Sequence, residues 1–378
     1  MTYLDHAAAT PMSERVRYAM EPFLSERFFN PSSPFIQGKE TRDAYEDAKR
    51  QIGSSIGAKG SNIIITASAT ESNNLAFTTI SDGGKILLSP IEHPSVTRAA
   101  EARGNYELLG VDQYGRIDLN DLKRRITPEL EFISVALANH ELGTIQPIAD
   151  IANLVRSERM RRLEAGENRP IVLHTDASAA LNTLNISIAR LSVDLMTFSS
   201  AKIYGPKGVA ALYADPEVCL KSLVVGGGQE AGVRSGTENV PGVIGFAAAI
   251  SDAQDHAESE SKRLKKLRQI IIDELGNRIR VFTPLKKSLS SHLAISIDGL
   301  DAERLIYLLE DRGICITTGA ACSASKGVKS NVLVAIKATD PEIAGSLRIT
   351  LGKLNDESNI HEAAAIICEV IDTERARA

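Results

Sequence analysis

Five short segments of this chain hold residue types and spacings that could do chemistry. Lys202 sits in Phe198-Ser199-Ser200-Ala201-Lys202-Ile203-Tyr204-Gly205-Pro206, between two strand-like apolar runs. Ends of parallel strands are where α/β sheets hold ligands, and a lysine desolvated there becomes a Schiff-base nucleophile. A solvated loop lysine, like Lys207, is the ordinary alternative. Upstream, Ile171-Val172-Leu173-His174-Thr175-Asp176 ends an apolar run on a carboxylate. Such a group either caps a helix or faces the protonated ring nitrogen of an aldehyde cofactor. Ser68-Ala69-Thr70-Glu71-Ser72-Asn73-Asn74 sets small and hydroxyl residues at a strand-to-helix turn. There, free N–H groups at the positive helix end suit a phosphate, although Ser68 with Glu71 also makes a capping box. Gly226-Gly227-Gly228-Gln229-Glu230 leads into Arg234-Ser235-Gly236-Thr237-Glu238-Asn239, glycine-rich and by itself no more than a loop. Finally, Thr317-Thr318-Gly319-Ala320-Ala321-Cys322-Ser323-Ala324-Ser325 surrounds one cysteine with turn-forming residues, where a thiolate can act as nucleophile.

The elements that must position these residues repeat one pattern: a strand-sized apolar run, a turn, then a helix-length amphipathic stretch. Residues 62–67 precede a helical 71–79, 85–89 precede 95–103, and 132–138 precede 148–162. Residues 171–174, 194–198 and 208–213 complete the set of runs. Alternation of this kind predicts parallel strands with helices on both faces, and short continuous apolar runs suit strands buried on both sides. Residues 243–249 continue into a long charged helix over 252–276, which reads as a connecting helix. Beyond it, 291–297, 302–312 and 347–351 suggest a smaller α+β domain. The predicted division is an N-terminal segment (1–12) packing with the small domain, a large domain (13–255) and a small C-terminal domain (256–378) carrying Cys322.

Composition narrows the function classes. The chain has 378 residues, 43% apolar, 24% charged and 4% aromatic, which excludes disordered, collagen-like and disulfide-scaffold proteins. A net charge of −5 argues against direct nucleic-acid or anionic-membrane binding. No apolar run approaches the ~20 residues of a membrane span, and Asp5 and His6 stand where a signal peptide requires apolar residues. A cytoplasmic location is the expectation. Cys219, Cys315, Cys322 and Cys368 form no C-x-x-C pair, so no zinc or redox-pair signature is present. Cys315 and Cys368 lie in apolar surroundings and are expected as small buried hydrophobes.

Taken in order, the five segments resemble the class V branch of fold-type I pyridoxal-phosphate enzymes, and within it cysteine desulfurases of the NifS/IscS type. The likeness runs from Tyr3-Leu4-Asp5 through Asn30-Pro31-Ser32-Ser33, Ala69-Thr70-Glu71-Ser72-Asn73-Asn74, Glu92-His93 and Glu141-Leu142-Gly143-Thr144-Ile145-Gln146-Pro147. It continues through Tyr204-Gly205-Pro206-Lys207-Gly208 and Arg234-Ser235-Gly236-Thr237 to Ser346-Leu347-Arg348. The resemblance implies a mostly parallel central sheet with a smaller α+β C-terminal domain. It makes Lys202 the cofactor-bearing amine that also moves the substrate Cα proton, and Asp176 the partner of the pyridinium. His93 would stack on the ring and assist proton transfer. Ala69, Thr70 and Ser199 would hold the phosphate, with Thr237 reaching it from a neighbouring subunit of a homodimer. Arg348 would pair with the substrate carboxylate, and Cys322 would take the sulfur as a persulfide for an acceptor or scaffold protein. No metal site is implied, beyond transient ligation of an iron–sulfur cluster by Cys322.

Three positions depart from the family pattern. Ala201 replaces a histidine before the lysine, Ala179 replaces a glutamine after Asp176, and His140 replaces an asparagine before Glu141. An imidazole N–H can donate where the amide did, so His140 is expected to contact the cofactor and substitute in part. The reaction implied is L-cysteine to L-alanine, with sulfur destined for iron–sulfur cluster assembly or tRNA thiolation, at a rate reduced by the three departures. The rival readings are another class V enzyme, a selenocysteine lyase or aminotransferase, and a weakly active homologue serving as a sulfur-transfer scaffold.

Overall fold

The computed structural model describes residues 1–319 and 329–377. Cys322 therefore lies outside the described residues. The strands are β1 (Thr2–Tyr3), β2 (Ile63–Thr66), β3 (Lys85–Leu88), β4 (Tyr106–Leu108), β5 (Leu130–Ser134) and β6 (Val172–Asp176). They continue with β7 (Leu195–Ser199), β8 (Ala210–Ala214), β9 (Arg280–Val281), β10 (His292–Ser296), β11 (Ile314–Cys315) and β12 (Ser346–Thr350). The main sheet has the order β2-β8-β7-β6-β5-β3-β4. β4, β3, β5, β6 and β7 run parallel, and β8 is antiparallel to both of its neighbours.

Strand alternation divides the interior between the two faces of this sheet. Leu87, Ile133, Leu173 and Met196 point to one face, against Ile52 of the helix Ile36–Ser55, Ile151 of Ile148–Glu164 and Phe246 of Val240–Leu275. Ile86, Leu88, Phe132 and Leu195 point to the other, against Leu75 of the helix Ala69–Ala76 and Val96 of Pro94–Arg103. Of the parallel strands, β5, β6 and β7 are fully buried and β3 nearly so, as their apolar runs require, whereas β4 at the sheet edge is largely exposed.

A second sheet, β12-β10-β9, is antiparallel, and β1 pairs with β11 in parallel. The interior of this part gathers Leu293, Ile295, Leu347 and Ile349 with Ile360, Ile367 and Ile371 of the helix Glu357–Arg377. Residues 243–249 do continue into the long helix expected over 252–276, as one helix, Val240–Leu275. No proline or glycine interrupts its period after Gly245, and Asn239 caps its start by accepting from Gly242 N at 3.1 Å. Its first half packs in the main core (Val243, Phe246, Ile250) and its second in the smaller one (Leu264, Leu267, Ile271). The expected boundary at 255/256 falls within it.

Two local expectations need correction. The helix sought at 71–79 begins at Ala69 and gives way to a 3-10 turn at Phe77–Thr79, because Ser68 caps it by accepting from Glu71 N at 3.2 Å. Cys315 and Cys368 are half-buried rather than buried, Cys315 in a two-residue strand and Cys368 donating to Glu274 O at 3.5 Å; Cys219 is exposed. Among the described residues, no helix is long and apolar enough to cross a membrane.

The chain's first strand is bound into the smaller core by Leu4, which is fully buried there. Leu4→Ala is expected to lower unfolding stability by about 2–5 kcal/mol, measured by chemical denaturation. A loss below about 1 kcal/mol would show that this strand contributes little to the core.

Candidate active site

Because both faces of the main sheet are covered, its chemistry is confined to the strand ends. The C-terminal ends of β3, β5, β6 and β7 open onto one cavity of about 630 Å³. β3 leads to Glu92 and His93, β5 to Ala136, Ala138 and His140, β6 ends on Asp176, and β7 delivers Ser199 and Lys202. Ala69 and Thr70 of the first helical turn line it too, as does Arg348 of β12. One cavity thus brings together Lys202, Asp176, His93, His140, Ser199, Ala69, Thr70 and Arg348. Thr237 is not among the lining residues; it is exposed on the 226–239 loop.

A buried hydrogen-bond chain fixes the carboxylate and one imidazole. Asp176 Oδ2 accepts from Asn73 Nδ2 at 2.9 Å, and Asn73 Nδ2 also donates to Ser95 Oγ at 2.8 Å. Asp176 Oδ1 accepts from Ser178 N at 2.9 Å. His93 caps the helix Pro94–Arg103: its Nδ1 accepts from Ser95 N at 3.1 Å and lies 2.8 Å from Ser95 Oγ. An acceptor Nδ1 leaves the proton of the neutral ring on Nε2. Burial holds His93 below the usual imidazole range.

Lys202 ends the 3-10 turn Ser200–Lys202 that follows β7, half-buried where Lys207 is exposed. Its Nζ donates to Ala8 O, and its own carbonyl accepts from Asn182 Nδ2. Behind the lysine, Thr10 Oγ1 donates to Ala201 O at 3.0 Å and accepts from Tyr204 N at 2.8 Å. The N-terminal segment therefore runs along the cavity wall, with His6, Ala7 and Ala8 lining it.

His140 sits on a turn that only glycine can close. Gly143 has φ +74°, and a Cβ there would meet His292 Cβ at 2.7 Å. Asn139, buried beside it, accepts from Glu141 N at 2.9 Å and Leu142 N at 2.7 Å. His140 contacts His93 edge-to-face at a centroid separation of 5.2 Å. Burial, then the neighbouring His93 and Arg348, hold it well below the usual imidazole range, so the ring is neutral. Arg348 is buried; its Nη2 donates to Asp5 Oδ1 at 2.7 Å and its Nη1 to the His140 carbonyl at 3.3 Å.

Several lining residues carried no role in the sequence. Glu92 and His292 are buried, with Glu92 Oε1 accepting from Ala136 N at 2.6 Å. Among the described residues, Glu92 Oε2, His292 Nε2, His6 Nε2, Ser178 Oγ and Arg348 Nε are buried with no hydrogen-bond partner. Burial pushes the Glu92 carboxyl up to about 8 and the His292 imidazole down to about 3. Asn73, Glu92 and Asp5 stand in segments that carry the family likeness, which was the available signal. Ser178 and His292 gave none, since a lone serine or histidine is ordinary.

The chain is similar to known proteins over nearly its whole length. The family model described as aminotransferase class-V matches residues 2–362. A relative named cysteine desulfurase IscS 1, from Archaeoglobus fulgidus, is 35% identical over 100% of this chain and 98% of its own length. One named cysteine desulfurase IscS, from Dictyoglomus turgidum, is 36% identical over 98% of this chain and 94% of its own. Among solved structures, a NifS-like protein superposes with TM-score 0.90 at 30% identity, covering 98% of this chain and 99% of that one. A structure titled SspA in complex with cysteine does so with TM-score 0.81 at 30% identity, over 93% and 99%.

The raised Glu92 carboxyl has a consequence for stability. Between an unfolded value near 4.5 and about 8, the folded protein keeps a proton that the unfolded chain releases. Stability contributed by protonated Glu92 is therefore lost as pH rises through that window. Glu92→Gln is expected to gain stability relative to the parent between pH 5 and pH 8.5, seen by denaturant unfolding at both values. A difference that does not change with pH would contradict this.

Proposed function

This chain belongs to the aminotransferase class-V family, and from that membership and the cavity uniting Lys202 with Asp176 we propose that it is a pyridoxal-phosphate-dependent cysteine desulfurase, converting L-cysteine to L-alanine. The observation carrying the reading is the convergence of an amine, a carboxylate, a helix N-terminus and a buried arginine on one cavity. The donor set fits the cofactor. Ser178 Oγ and Arg348 Nε are cavity-lining polar atoms without partners among the described residues, and the first-turn N–H groups of Ala69–Ala76 have no intrahelical acceptor. When bound, pyridoxal phosphate supplies an aldehyde for the amines and a protonated ring that withdraws electron density.

Each residue then has a task of its own. Lys202 holds the cofactor and moves the substrate Cα proton; the Ala8 carbonyl and Asn182 fix where its amine starts. Asp176, oriented by Asn73 and Ser178, faces the ring nitrogen. Ala69, Thr70 and Ser199 hold the phosphate at the positive helix end, and Thr237 completes that site from the neighbouring subunit of a homodimer. His93, with its proton on Nε2, presents a donor, and neutral His140 presents a second imidazole beside it. Arg348 takes the substrate carboxylate. The Cys322 thiolate attacks the substrate sulfur, so that the substrate's C–S bond is replaced by C–H and an S–S bond forms, leaving alanine and a persulfide on Cys322. The outer sulfur passes to an acceptor protein of iron–sulfur assembly or tRNA thiolation, in the cytoplasm. Ala201 and Ala179 bring no side-chain hydrogen bond to this site, which slows turnover without removing the lysine or the acid.

The purified protein is expected to be yellow and to produce alanine and, with a reductant, sulfide from L-cysteine. Cys322→Ser should keep the cofactor absorbance band and stop sulfide release, and Lys202→Ala should change the band. A colourless protein that takes up no added pyridoxal phosphate would overturn the reading. A hydrogen bond from the His140 imidazole to the bound cofactor would, at ~1–3 kcal/mol, correspond on its loss to a roughly ten- to hundredfold effect. His140→Ala should therefore shift the absorbance maximum or weaken cofactor retention, and an unchanged spectrum with unchanged retention would remove His140 from the site.

A further inference from the structure

We propose that Asp5 is a positioning residue for substrate binding: together with the His140 carbonyl it fixes the Arg348 guanidinium through Nη2 and Nη1 and leaves the remaining N–H donors for the substrate carboxylate. The inference rests on the functional reading above. The Arg348 side chain is 6% exposed and its Asp5 partner 17%. A guanidinium has two edges that can grip a carboxylate through paired N–H donors. Here Nη2 donates to Asp5 Oδ1 at 2.7 Å and Nη1 to the His140 carbonyl at 3.3 Å, while Nε is buried and unpartnered among the described residues. Arg348 lines the cavity, so the N–H donors that Asp5 and the His140 carbonyl leave over are those an incoming carboxylate can take.

Asp5 is itself held in place. Thr350 N donates to Leu4 O at 2.7 Å, His6 N to Thr350 O at 3.2 Å, and Ala7 N to Thr350 Oγ1 at 2.9 Å. Tyr3 OH donates to the Asp5 carbonyl at 2.8 Å. The backbone on either side of Asp5 is thus paired to Thr350, two residues beyond Arg348 on β12. Arg348 N also donates to Thr317 O at 2.8 Å. Glu141, the other acid near the guanidinium, accepts from Ser330 Oγ at 2.7 Å instead. A preset guanidinium spares the substrate the ordering of a long side chain.

The test is a spectral titration of the cofactor-loaded protein with L-alanine, which carries the carboxylate, and with L-alaninamide, which does not. Asp5→Asn keeps the side-chain shape and removes the charge. It is expected to weaken L-alanine binding by about tenfold or more while leaving L-alaninamide within about twofold of the parent. Cofactor uptake should be unchanged, while the thermal midpoint falls because the buried Arg348 charge loses its partner. Asp5→Glu, which keeps the charge on a longer stem, should give a smaller loss, again confined to L-alanine, and serves if the Asn variant does not fold. L-alanine affinity unchanged in both variants would overturn the proposal, and so would equal losses for the two ligands. A parent protein that takes up no pyridoxal phosphate is a different failure: it removes the functional reading, and this inference with it.

Discussion

A parallel sheet covered on both faces has only its ends to offer to solvent. In this chain that constraint does most of the placing. Unbroken apolar strands commit both faces to cores, one with Phe246 and Ile52, the other with Leu75 and Val96. The main-sheet polar residues that must meet a small molecule are thereby pushed to the last strand residue or past it. Asp176 is the last residue of β6, and Lys202 follows β7 by one short turn. The residues that orient them come from elements already fixed by the same packing. Asn73 lies on a helix whose other side carries Leu75, so burying the leucine also brings the amide to the carboxylate.

The sheet ends do not close the cavity; the start of the chain does. Leu4 enters the smaller core, and the next residues run along the wall past Arg348 and Lys202. One segment therefore touches both groups assigned to a reacting amino acid, the arginine for its carboxylate and the lysine for its Cα proton. Distances between such groups matter more than their strengths, since misplacement by ~1 Å can cost ~100-fold in rate. A segment paired to β12 on one side and hydrogen-bonded to Ala201 on the other is a direct way to hold that separation.

The strands and helices of the main sheet are legible in the sequence because burial on both faces leaves continuous apolar runs. Their ends are less so. The helix at Ala69 starts two residues early because a serine cap, not an apolar residue, sets its boundary. The long helix Val240–Leu275 is legible as a continuous run, but its sharing between two cores is not, because its apolar stripe turns from one core to the other midway, a tertiary fact with no local mark. Within the site, the chemically distinctive residues stand out, Lys202 and Asp176 above all. The supporting ones do not: Ser178 and His292 look like any serine or histidine until the fold closes around them. Asp5 and Arg348 sit at opposite ends of the chain, and nothing local in either segment pairs them.

The three departures from the family pattern have an electrostatic side. Charged imidazoles in this cavity would raise its positive potential beside Lys202 and Arg348. Burial instead holds His93, His140 and His292 below the usual imidazole range, His292 down to about 3. Neutral rings can each both donate and accept, from one nitrogen and at the other, as an amide does through its nitrogen and oxygen. The His140 imidazole lies in the cavity on the 139–143 turn, while the position before the lysine holds Ala201. The imidazole sits edge-to-face with His93 rather than adjacent in sequence to the amine. The site consequently separates two functions: the lysine keeps its place against Ala8 and Asn182, and the imidazoles gather across the cavity where Arg348 is anchored.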